Sequence, residues 1–137
     1  MEFISAEEFL KQPEKVQKIL KDWFKDNIEF YDLYTTIKYS DVIIIRNEKQ
    51  IKAIKEYGIK DNVIPLFTEG QLRQFIEDKT EGRVGNEYCL NGYTIYLWGE
   101  LTTENDANSI DDYWETERND LISSYWDVAC EIAKREE

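Results

Sequence analysis

Side chains able to hold a metal or move a proton crowd into one acidic stretch. Glu104, Asp106, Asn108, Asp112 and Glu115 fall at positions 1, 3, 5, 9 and 12 of a calcium-loop register, where oxygen ligands are needed. The match is degenerate. Glu104 stands where the shorter Asp is required, Ser109 replaces the turn glycine, Asp111 takes the apolar position, and a strand rather than a helix precedes the loop. The expectation is therefore a solvated acidic loop without a metal, those five residues being the ligands to test should one bind.

The wider tract of Glu100, Glu104, Asp106, Asp111, Asp112, Glu115, Glu117 and Asp120 could imitate the charge array of a nucleic-acid backbone and occupy a basic groove. Mimicry needs carboxylates held in a row on a rigid surface, and half of this tract reads as loop. Beside it lie Tyr88, Tyr93, Tyr96 and Trp98. Alternation along a strand puts Tyr93, Ile95 and Leu97 on one side and Thr94, Tyr96 and Trp98 on the other. One face must meet a core. If a helix covers the opposite face, Tyr96 and Trp98 are packing; if none does, they form the kind of aromatic anchor that dominates protein interfaces.

Other chemistry finds little support. The chain has no histidine, the commonest general base and metal ligand, and it contains no Walker loop, no GxGxxG and no Gly-x-Ser-x-Gly elbow. Its six glycines are not clustered, so no phosphate cradle is visible. Cys89 and Cys130 lack a CxxC spacing and a histidine to activate them, and read as small, reduced core residues rather than a disulfide. Neither an enzyme nor a cofactor is expected.

The formal charge of −12 argues against direct binding to a phosphate backbone. Its distribution says more: between Val84 and Ala133 stand 11 Asp or Glu against one basic residue, Arg118. With 42% hydrophobic residues over 137 positions, one domain spanning 1–137 is expected. No stretch approaches the roughly 18 uninterrupted apolar residues of a membrane span, and the opening residues lack an export signal, so a cytosolic protein is expected.

The elements that must position these side chains follow from period and punctuation. Ser5 and Glu8 form a capping box for a short helix carrying Phe9 and Leu10. Pro13 can be the first residue of the next helix, whose stripe is Val16, Ile19, Leu20, Trp23 and Phe24, with Lys15, Lys18, Lys21 and Lys25 opposite. Residues 30–37 and 42–45 read as a β-hairpin turning at Tyr39-Ser40-Asp41, its second strand apolar on both faces as a covered strand would be. Asn47 and Gly58 bracket a helix over 48–57 with Ile51 and Ile54 inward.

Residues 63–67 are extended because of Pro65, and Thr68 with Gln71 caps a helix to about Lys79 that buries Leu72, Phe75 and Ile76. Asn91-Gly92 predicts a second hairpin, both of its central residues taking positive φ. Residues 99–109 read as loop. From about Ile110 the spacing of Trp114, Leu121, Tyr125, Val128 and Ile132 predicts a closing helix, with a break near Asn119.

Three strings carry a likeness: residues 3–10 (FISAEEFL), 64–80 (IPLFTEGQLRQFIEDKT) and 120–133 (DLISSYWDVACEIA). In them the chain resembles a family of small uncharacterised proteins from phages and prophages of Firmicutes. The resemblance covers about a third of the chain and implies a phage accessory protein working in the host cytosol. It carries over no catalytic residue and does not extend to the acidic region before Trp114.

Together these readings predict an α+β fold, two antiparallel hairpins in a small sheet packed against N-terminal, middle and C-terminal helices. The expected function is binding of a host or phage protein with a basic surface, as an inhibitor of a host defence factor would, through Glu104, Asp106, Asp111, Asp112, Glu115, Tyr96 and Trp98. No direct nucleic-acid or membrane partner is expected. The competing readings are a small metal-dependent enzyme or ligand-binding protein built on the Asp/Glu cluster, and a virion assembly component.

Overall fold

The computed structural model describes residues 2–37, 41–57, 63–99 and 112–136, and shows an α+β fold. The chain divides into two compact units, Phe3–Phe67 and a C-terminal unit made of Thr68–Glu137 with the first two residues. Among the described residues, no helix is long and apolar enough to cross a membrane.

In the N-terminal unit, Ser5 caps α1 (Ala6–Leu10) by accepting the Glu8 amide at 3.2 Å, while the Glu8 carboxylate takes the Lys11 ammonium at 3.1 Å. Pro13 is the cap of α2 (Glu14–Asp26) rather than its first residue, and the expected stripe is buried through Val16, Leu20, Trp23 and Phe24. Three strands follow the order β2-β1-β3: β1 (Leu33–Thr36), β2 (Ile43–Ile44) and β3 (Val63–Pro65), antiparallel throughout. Residues 39 and 40 of the expected turn lie outside the described residues.

The reading of 42–45 as a covered strand is corrected here. Among the described residues β2 has one strand neighbour, β1; Val42 is 49% exposed and only Ile45 is fully buried. Helix α3 (Glu48–Tyr57) starts at Asn47, whose side-chain oxygen accepts the Gln50 amide, and it buries Ile54. The core closes on Phe67, whose ring meets Phe9, Phe24 and Trp23 at centroid distances of 6.4, 6.0 and 6.2 Å.

In the C-terminal unit, the Thr68–Gln71 capping box opens α4 (Glu69–Thr80), which buries Leu72, Phe75 and Ile76. A second antiparallel sheet has the order β4-β5-β6, with β4 (Arg83–Cys89), β5 (Gly92–Trp98) and β6 (Asp112–Glu115). Helix α5 (Leu121–Arg135) packs against α4 and β5 and buries Tyr125, Trp126, Val128, Ala129, Cys130, Ile132 and Ala133.

Three expectations change. The two hairpins belong to separate sheets, and each gains a third strand. Trp114 lies on β6 and not on the closing helix, which begins at Leu121. The turn of the second hairpin is Leu90-Asn91, because Cys89 pairs with Gly92; the positive φ falls on Gly92 (129°) alone. A glycine is required there because the backbone of Glu117 and Arg118 approaches: a Cβ would lie 2.7 Å from the Arg118 carbonyl oxygen.

Candidate functional site

Three contacts fix which face of the second sheet meets α5. The Asn86 amide donates to the Tyr125 hydroxyl at 3.0 Å, the Arg135 guanidinium lies 5.6 Å from the Trp114 ring centroid, and Arg135 pairs with Asp112 at 3.3 Å. Ile95 and Leu97 are buried on that side. Residues directly opposite in antiparallel strands share a face, and the face alternates along each strand. The register therefore sets Gly85, Tyr96 and Tyr113 in one row on the other face, and Glu87, Thr94 and Glu115 in the next.

Among the described residues, the helix of this unit that packs on β5, α5, lies on the first face and none lies on the second. Tyr96 and Trp98 are half-buried, Tyr113 is 56% exposed, and Glu87 and Glu115 are exposed. The Tyr96 and Trp98 rings pack at 6.0 Å, and the indole reaches across to β4, where a Cβ on Gly85 would come within 2.7 Å of it. The Tyr96 hydroxyl donates to the Glu87 carboxylate at 3.0 Å. That bond, followed by burial and the nearby charges of Glu87 and Glu115, holds the phenol above its ordinary pKa. At neutral pH the phenol therefore keeps its proton and donates.

A depression of about 590 Å³ opens at the turn end of this face, lined by Cys89, Thr94, Tyr96, Tyr113, Glu115 and Glu117 among others. Its floor is held by an irregular junction between β5 and the end of β6. The Tyr93 amide donates to the Arg118 carbonyl at 2.9 Å, the Tyr93 carbonyl accepts both the amide and the hydroxyl of Thr116, and Glu117 takes a left-handed φ of 57°. Arg118 pairs with Asp127 of α5 through two nitrogens at 2.8 and 3.2 Å, which ties the junction to the helix.

The sequence-predicted residues are distributed unevenly over this geometry. Tyr96, Trp98 and Glu115 share the open face. Asp112 does not: it points to α5 and is engaged by Arg135. Being three residues apart on one strand, Asp112 and Glu115 face opposite ways and cannot converge on one ion. Glu104, Asp106, Asn108 and Asp111 lie outside the described residues. Among the described residues, no three His, Cys, Asp or Glu side chains form a group that could hold a metal.

Glu100, like Glu104, Asp106 and Asp111, lies outside the described residues, and the four described acids of the possible nucleic-acid mimic are not in one row. Asp112 faces the helix, Glu115 the open face, Glu117 sits in the junction, and Asp120 caps α5 by accepting the Ser123 amide at 2.8 Å. Cys130 is buried as expected, whereas Cys89 is half-buried at the rim of the depression.

Sequence reasoning missed Glu87, Gly85 and Tyr113. The register counted outward from an Asn91-Gly92 turn would have placed Glu87 opposite Tyr96 and Gly85 opposite Trp98; with the turn at Leu90-Asn91 they face Thr94 and Tyr96 instead. No family model, curated protein or solved structure matches the chain.

Proposed function

We propose that this chain is a phage or prophage accessory protein that works in the host cytosol by binding a host or phage protein with a basic surface. The observation that carries the reading is the sheet face opposite α5, where Tyr96, Trp98 and the exposed Tyr113 stand beside the exposed Glu87 and Glu115. Large aromatic rings supply most of the contact energy in interfaces, and carboxylates around them select a cationic partner and speed its approach.

Charge supports the same partner. Phe3–Phe67 holds 11 acidic and 11 basic residues, so the whole formal charge of −12 belongs to the C-terminal unit that carries the face. Origin in a phage or prophage is supported by the resemblance in residues 3–10, 64–80 and 120–133. Occupying a basic surface would keep the partner from its own anionic ligand, which is how binding becomes inhibition of a host factor.

Capture from a Firmicutes lysate tests this, comparing the wild-type chain with a Tyr96→Ala/Trp98→Ala variant and a Glu87→Lys/Glu115→Lys variant. The reading expects a partner retained at low salt, released at high salt and lost with both variants. A partner held equally by all three chains would overturn it.

A further inference from the structure

We propose that the outer edge of β4 takes an extended basic segment of the partner as an added strand, seating one of its lysine or arginine side chains between Glu87 and the Trp98 indole. This rests on the binding reading above and specifies the form of the partner. Among the described residues β4 has one strand neighbour, β5, so its other edge is open. The Val84 amide points to that edge, where the Glu77 carboxylate of α4 accepts it at 3.1 Å. Backbone groups alternate in direction along a strand, so the amides and carbonyls of Asn86 and Tyr88 point to the same edge. Both residues are exposed, and neither of these amides has a protein partner among the described residues. One donor is capped and the next two remain for a strand to use.

The side chains beside this edge define what fits. Gly85 offers nothing that blocks the Trp98 ring leaning over it, so the indole can be reached from the β4 side. Glu87 accepts the Tyr96 hydroxyl through one carboxylate oxygen, which orients it and leaves the other for a donor. A strand laid along β4 puts alternate side chains on the open face, next to Gly85 and Glu87. A guanidinium or ammonium there meets an aromatic face and a carboxylate at once. The charge of −12 on this unit disfavours an acidic segment or a second copy of the chain.

The test uses the full chain and a labelled peptide of about nine residues alternating threonine and arginine, long enough to pair along β4. It is compared with the same peptide carrying glutamate for arginine, and with the arginine peptide N-methylated at every backbone amide. Binding is read by fluorescence anisotropy and by amide hydrogen exchange at Asn86 and Tyr88. The expected result is that the arginine peptide binds, slows exchange at both amides about tenfold or more, and loses about tenfold in affinity with Glu87→Gln, while the N-methylated peptide does not bind. Equal binding of the N-methylated peptide, or unchanged exchange at Asn86 and Tyr88 when the peptide is bound, overturns edge addition and leaves the aromatic face as the site. Equal binding of the arginine and glutamate peptides overturns the basic-partner reading itself.

Discussion

The Tyr125 hydroxyl lies in the core of the C-terminal unit, fully buried, with the exposed Asn86 amide as its donor at 3.0 Å. Burial pushes its pKa up, and the Asn86 bond and the Arg73 guanidinium over its ring pull the other way by less. An acid whose folded pKa is raised ionises first in the unfolded chain. Stability from this group is thus intact below the ordinary tyrosine value, about 10, and falls as pH rises past it. Tyr125→Phe should therefore cost about 1 kcal/mol at neutral pH, the worth of one hydrogen bond, and lose less than wild type between pH 7 and 10.5; urea unfolding at both values checks this. Gly85 offers a second test at this scale. Gly85→Val should displace the Trp98 indole, seen as a change in near-ultraviolet circular dichroism, and abolish partner capture while the Tyr125 core stays folded.

At the scale of elements, the helices are fixed by their ends. Asp120 accepts the Ser123 amide, and the Ser123 hydrogen bonds hold its carboxyl below the usual value. The stability it supplies is present above the ordinary Asp pKa and is lost as pH falls through the depressed one. Asp120→Ala should cost about 1 kcal/mol at pH 7, with the difference from wild type shrinking in acid. Helix α4 ends on Glu81 in a left-handed conformation, φ 56°, which a Cβ disfavours. Glu81→Gly should raise stability by up to about 1 kcal/mol in thermal unfolding.

These ends were legible in the sequence because capping is local: Ser5, Thr68 with Gln71, and Asn47 all act within four residues. Strand pairing is not. Pro65 marked β3 as extended, but β3 and β6 are three and four residues long and their partners lie far along the chain, so nothing local showed what either pairs with. Trp114 misled for a physical reason. It does face α5, against Arg135, so its spacing from Leu121 and Tyr125 fits one buried side although it comes from a strand. The open face was half legible: Tyr96 and Trp98 were singled out, whereas Glu87 and Gly85 emerged only with the register.

At the scale of the whole chain, charge is partitioned between the two compact units. The N-terminal unit is formally neutral and the C-terminal unit carries −12. Such a field acts on encounter more than on residence, and salt screens it over about 8 Å at physiological ionic strength. Association with the partner should slow about tenfold or more between 50 and 500 mM salt, with dissociation nearly unchanged, as stopped-flow mixing would show. The binding reading stands or falls on where that partner sits. Hydrogen exchange of the complex, resolved along the chain, answers this directly: the account predicts slowed exchange in residues 83–98 and 112–117, and protection confined to Phe3–Phe67 would contradict it.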